Sequence, residues 1–432
     1  MKKIDKTKLL YIFLILQPFI DLITSIMTRF GNFTITLGMV TRASFLLVLL
    51  MHTLFFTNTK YKKKTIIYFT MLFVFIVLYF ITKIDMFKLQ FLLKEITYLF
   101  KYFYLPVISI CLINCFDSLK LDKEQIGKIF MINVVVFSTL IIVPHFTNTA
   151  FASYYGNNSG SVGWFYAANE VGAILTLLFP YLYKFGYQNK TNKLMICSIF
   201  VIISMMIIGT KVAFLGMLFT EIIFCVYLFI LRKKITIRPF IVSFVILVAS
   251  TILVPSIPVT TNMKNNVEKV EQIQEEIIKE NNKYKQQQNT FWGKTLKIAL
   301  SSRDIYLYDT YDIYDKSNIQ DKFLGIGFVD RESINNSKIN KLIEIDIFDI
   351  LFHYGIIGFI IYFGPIVWIY FKALYRAIKN KLKLNFYQFL YLYAITLLIG
   401  ISCFAGHIFG APAVSIYLTF SLVLLNKEYE GN

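Results

Sequence analysis

The feature that most constrains this chain is a repeated pattern of long apolar runs separated by short polar gaps. It leaves almost no stretch from which a water-soluble core could be built. The runs fall near residues 9–28, 36–56, 65–82, 97–115, 127–144, 165–183, 192–208, 211–231, 237–255, 350–371, 385–402 and 405–425. A helix needs about 20 residues to cross the hydrocarbon of a bilayer, and there it satisfies its own backbone hydrogen bonds. The pattern predicts an all-α polytopic membrane protein with twelve transmembrane helices and one large extracytoplasmic loop containing short helices. The expected organisation is a single integral membrane domain. Spans 1–9 lie in residues 1–255, the loop in 256–349 and the last three spans in 350–432. The first run starts beside charged Met1–Lys8, lacks a small-residue cleavage site and contains Asp21, so it reads as a span and not as a removable signal.

The formal charge is +18, yet the basic residues gather in short gaps, as topology signals do, and not in a nucleic-acid-binding patch. Lys60, Lys62, Lys63 and Lys64 follow the second run, and Lys120, Lys123 and Lys128 the fourth. Lys184, Lys190 and Lys193 follow the sixth, Arg232, Lys233, Lys234 and Arg238 the eighth, and Lys372, Arg376, Lys379, Lys381 and Lys383 the tenth. This places both termini in the cytoplasm and the 256–349 segment outside, in a multi-pass protein of the cytoplasmic membrane. The early part of that segment, "NNVEKVEQIQEEIIKENNKYKQQQ", reads as an exposed amphipathic helix. The five cysteines show no spacing of a zinc site or disulfide framework, and no nucleotide-binding loop or HExxH motif occurs.

With only seven arginines in the chain, each is worth inspecting. Arg303, in "SSRD", follows candidate helix caps Ser301 and Ser302. It reads either as a bidentate phosphate ligand or as a surface ion-pair partner. Lys211, in "IIGTKVAFLG", sits at a tight turn between two spans and reads either as a site residue or as a side chain snorkelling to lipid headgroups. In "IEIDIFDILFHYGIIGFI", Asp346, Asp349 and His353 lie three, four and seven residues apart. That spacing sets them on one helical stripe facing a wet cavity; the plainer reading is helix-dipole compensation plus a buried histidine. Asp21, His145, Asn169, Glu170 and His407 are the other polar residues near the same face, with Asn169 and Glu170 expected to line the cavity or bind a partner.

In order along the chain, "QPFIDLITSI", "GWFYAANEVGAILTLLFP", "GTKVAFLG", "SSRDIYL" with "LGIG", and "IEIDIFDILFHYGIIGFI" resemble segments of the O-antigen ligase and O-antigen polymerase family. The resemblance implies a membrane glycosyltransferase without metal or other cofactor, acting on an undecaprenyl-diphosphate-linked oligosaccharide for capsule or other surface polysaccharide. A flippase and a chain-length regulator are the implied partners, besides the bilayer itself. By the same resemblance Arg303 and Lys211 hold the donor diphosphate. Glu344 and Ile345 stand where the family has His-Asn, which shifts the expected general base to Glu344 or Asp346. Asn169, Asp349 and His353 are the expected cavity-lining residues. The competing class is a flippase for lipid-linked oligosaccharides, which requires charges along a central passage. A third reading, a non-catalytic sensor or adhesin scaffold, leaves Arg303 and Lys211 freely replaceable.

Overall fold

A computed structural model describes the chain except residues 1–4, 32–34, 84–88, 155–158, 232–235, 266–299, 301–302, 329–341 and 431–432. The expected amphipathic helix near 265–288, caps Ser301 and Ser302, and basic residues Arg232, Lys233 and Lys234 thus lie wholly or almost wholly outside the described residues. The protein is an all-α polytopic membrane protein. Its first eleven helices are α1 (Lys6–Ile15), α2 (Gln17–Gly31), α3 (Leu37–Met51), α4 (Lys62–Thr82), α5 (Leu89–Cys115), α6 (Lys123–Phe146), α7 (Ala168–Leu178), α8 (Tyr183–Tyr187), α9 (Thr191–Ile208), α10 (Lys211–Ile230) and α11 (Arg238–Leu253). Two short helices follow, α12 (Arg303–Lys316) and α13 (Ile319–Leu324), and then α14 (Asp346–Lys379), α15 (Phe386–Ser402) and α16 (Pro412–Glu430). A two-stranded antiparallel ribbon, β1 (Phe151–Ala152) with β2 (Ser161–Gly163), joins α6 to α7.

Among the described residues, eight helices are long and apolar enough to cross a membrane, and a ninth results if α1 and α2, bent by 52°, count as one span. Of the other expected runs, 385–402 is α15, an unbroken apolar helix of 17 residues, and 405–425 is helical from Pro412 onward as α16. The run at 165–183 becomes α7 followed by a 3₁₀ turn, Phe179–Leu182, because Pro180 cannot donate the next helical bond. The last run, α16, is buried on nearly every side between α5, α14, α15 and α7. Its small polar side chains satisfy neighbours in place of lipid: Ser109 pairs with Thr419 at 3.2 Å, Tyr181 with Ser421 at 2.8 Å, and Asn133 donates to the Tyr417 hydroxyl at 2.9 Å.

At the end of the bundle that carries α12 and α13, the span α14 breaks. Gly355 has φ 66° and ψ −177°, conformations open essentially to glycine alone. The break frees the carbonyls of Phe352 and His353, which accept from the N–H groups of Ile326 (3.0 Å) and Gly327 (3.1 Å). Gly325 meets Gly355 there: a Cβ on Gly355 would lie 2.5 Å from the Gly325 nitrogen, and a Cβ on Gly325 would lie 2.1 Å from the His353 oxygen. Lys83 pairs with Asp321 at 2.7 Å, and the Phe328 N–H donates to Glu95 at 2.6 Å. Phe328 stacks between His353 (4.0 Å) and Tyr98 (4.2 Å). The 319–328 segment is thereby fastened to α4, α5 and α14, behind Tyr98 and Tyr102.

Candidate active site

Two irregular segments meet beside this anchor: Leu342–Ile345, which leads into α14, and Cys403–Ala411, which links α15 to α16. Asp346, the first residue of α14, turns its carboxylate onto the second segment and accepts from the N–H groups of His407 (3.1 Å), Ile408 (2.8 Å) and Phe409 (2.8 Å). The Gly406 N–H donates to the Glu344 carbonyl at 2.6 Å, and a Cβ on Gly406 would come within 2.5 Å of that oxygen. Asp349 accepts the Ile343 N–H at 3.3 Å. The two aspartates thus hold backbone in place, and Asp346 has its charge committed to three donors.

Glu344 and His407 are the side chains these contacts present to each other. Both residues are left-handed, with φ 57° and 69°, an uncommon state for non-glycine residues. The His407 Nε2 lies 3.7 Å from the Glu344 Oε2, and the Arg303 guanidinium donates to the same oxygen at 3.3 Å. Burial alone would lower the His407 pKa, but Glu344, with Glu170 and Asp346 behind it, raises it above the ordinary histidine value. Tyr154, from the α6–α7 connection, lies within electrostatic range of both Arg303 and Glu344. Burial pushes its hydroxyl pKa up, Arg303 opposes the rise, and Glu344 adds to it. Lys211 begins α10 directly after left-handed Gly209 and the cap Thr210, whose hydroxyl accepts the Ala213 N–H at 3.2 Å. From there it interacts electrostatically with Arg303.

Glu344, Asp346, Asp349 and His407 form part of the wall of a cavity of about 490 Å³. Its aromatic surface comes from Tyr98, Tyr102, Phe165 and Tyr166, and its other charges from Asp21, Arg42, Lys101 and Glu170. Arg42 reaches Gln17 through two donors at 3.1 and 2.9 Å and pairs with Asp21 at 2.5 Å. The second Asp21 oxygen is buried and makes no hydrogen bond. Glu170 feels the charges of His407, Asp21, Lys101 and Arg42, so the ionisable groups form one connected set across the cavity.

Among the residues singled out from sequence, the structure brings Arg303 to Glu344, and it sets Glu344, Asp346 and Asp349 in the cavity wall. Arg303, Lys211, Asn169 and His353 are not among the residues lining that cavity. His353 lies on the stripe with the two aspartates but is fully buried against Phe328, its Nδ1 2.8 Å from the Asp349 carbonyl oxygen. The docked 319–328 segment covers the His353 end of the stripe, while Asp346 and Asp349 nearer its start border the cavity. Arg42, Lys101 and Tyr154 were not anticipated. An arginine inside an apolar run, as in "GMVTRASFLL", is a signal that was available for Arg42. Nothing in the local pattern marks Tyr154 among 28 tyrosines. Among the described residues no group of three His, Cys, Asp or Glu side chains is arranged to hold a metal ion.

The arrangement offers paired carboxylate and imidazole for proton transfer, guanidinium and ammonium for anionic charge, and aromatic faces for stacking. Residues 3–429 match a protein family described as O-antigen ligase like membrane protein. No curated protein and no solved structure matches the chain.

Proposed function

Because the chain belongs to the O-antigen ligase-like membrane proteins, a family of surface polysaccharide assembly, we propose that it polymerises or ligates undecaprenyl-diphosphate-linked glycan at the outer face of the cytoplasmic membrane. The observation that carries this reading is Glu344 held between Arg303 and His407 on the wall of a charged, aromatic cavity within a membrane bundle. In the reaction, an acceptor hydroxyl oxygen bonds to the donor's anomeric carbon. The bond from that carbon to the diphosphate oxygen breaks, and undecaprenyl diphosphate leaves with the electron pair. The hydroxyl proton passes to the acid–base pair formed by Glu344 and His407.

Arg303 and Lys211 take the diphosphate. The two cations lie close enough to act on each other electrostatically, so one diphosphate can be met by both. A guanidinium fork suits a phosphate oxygen pair, and fixed positive charge stabilises the leaving group as it departs. Asp346 supports the site through the backbone of His407, Ile408 and Phe409 and is not the base.

The test is deletion of the gene with complementation, followed by sizing of the surface polysaccharide and of the lipid-linked pool. Loss of long chains with single repeats retained identifies a polymerase. Finished chains left on the lipid carrier identify a ligase. Unchanged polysaccharide with no build-up of lipid-linked glycan overturns the proposal.

A further inference from the structure

Glu344 and His407 come from segments more than sixty positions apart, and each bears its side chain on a left-handed backbone. Such conformations persist only where surrounding contacts impose them, and they concentrate where a side chain must be aimed. Here the imposing contacts are explicit: the Gly406 N–H on the Glu344 carbonyl, and three consecutive N–H groups from His407 onward on the Asp346 carboxylate. Both sets fix the imidazole and the carboxylate relative to each other.

We infer that His407 is the general base of the transfer and that Glu344 is its positioning carboxylate. The inference rests on the glycosyl-transfer reading above. Glu344 has its charge engaged from two sides, by Arg303 at 3.3 Å and by the His407 Nε2 at 3.7 Å, so it is better placed to orient an imidazole than to receive a proton itself. A separation of 3.7 Å is looser than a hydrogen bond, as acid–base pairs commonly are before substrate closes the site. With Nε2 turned to Glu344, the other ring nitrogen takes the acceptor's hydroxyl proton as the new glycosidic bond forms and the diphosphate departs. The resulting imidazolium is then stabilised by the carboxylate, the division of labour of carboxylate–histidine pairs on unrelated folds. His407 and Glu344 both line the cavity, so the imidazole borders the substrate space.

The ionisable groups facing the imidazole are Glu344 from the segment before α14, Asp346 from α14 itself and Glu170 from α7, with Arg303 acting on it through Glu344. Carboxylates on these sides hold a proton on the ring beyond the ordinary value of 6.5, and the base works only after losing it. Turnover therefore rises with pH along a limb lying above 6.5.

The experiment uses the full-length protein in nanodiscs with lipid-linked repeat units extracted from cells lacking the gene, and measures kcat and KM from about pH 5 to 9. Since position 407 is left-handed, His407→Asn and His407→Gly are the informative variants, because both residues accept that backbone. The expected result is a kcat lower by about 10²–10⁴-fold with KM little changed and the rising limb gone, and partial rescue of His407→Gly by added imidazole. Glu344→Gln keeps a rising limb but moves it to lower pH, because a carboxylate that raises the ring's proton affinity is gone. Loss of the limb in Glu344→Gln, with its mere displacement in the His407 variants, makes Glu344 the base and overturns the assignment. So does wild-type kcat in folded His407→Asn. Failure of the wild-type protein to form polymer from the same lipid pool instead overturns the glycosyl-transfer reading on which the assignment rests.

Discussion

At the scale of single residues, two neighbouring acids that look alike in the sequence do different work. Glu344 faces Arg303 and His407, whereas Asp346 is consumed by three backbone donors. Hydrogen bonds to a charged acceptor are worth about 1.5–3 kcal/mol each, so Asp346→Asn should cost about 2 kcal/mol and lower the melting temperature of the purified protein. A normal melting temperature with lost turnover would assign Asp346 a chemical role instead. Glu344→Gln should show the opposite profile, near-normal melting and turnover reduced by about 10²-fold or more. Arg303 separates charge from geometry: Arg303→Ala should abolish polymer at unchanged abundance in the membrane, and Arg303→Lys should restore little, since an ammonium lacks the planar fork. Wild-type chain length in Arg303→Ala would remove it from the donor site. These distinctions were out of reach of periodicity. Spacing sets Asp346, Asp349 and His353 on one helical face, but it does not say that one carboxylate meets a backbone, another steadies the turn before the helix, and the imidazole is covered by Phe328.

At the scale of elements, the apolar runs were legible and their interruptions were not. The run at 350–371 becomes a helix beginning at Asp346 and broken at Gly355, because the α13 segment docks onto the carbonyls that the break exposes. Two glycines in "HYGIIGFI" give no local hint that one of them is needed for a backbone some thirty residues earlier. Gly325 has φ 95° and ψ 155° and Gly355 φ 66° and ψ −177°, both glycine-only regions, and each abuts backbone from the other's segment. Gly355→Ala should therefore cost about 1–3 kcal/mol from backbone strain alone and release residues 319–328. Limited proteolysis of purified protein checks this: faster cleavage in that segment is expected in the variant, and an unaltered cleavage rate would show that the docking does not depend on the break.

At the scale of the whole molecule, the proposed orientation puts the cavity outside and the basic connections inside. A cysteine replacing Gln287, in a segment outside the described residues, should react with an impermeant reagent on intact cells, and one replacing Lys381 only after permeabilisation. The reverse pattern would sink the orientation and the proposed donor chemistry with it. What the sequence by itself determined is the membrane and the helices. The apolar, helical character of each run is a local property, readable from hydropathy without knowing what packs against it. The family follows the same way, since ordered local motifs survive without any contact map. What only the tertiary structure decided is which ionisable groups meet. Glu344 and His407 are brought together by two loops joined through Gly406 and Asp346, and Arg42 and Asp21 by the packing of α2 against α3. Proton transfer and charge stabilisation act over a few ångströms, and a separation in sequence does not specify a distance of that kind.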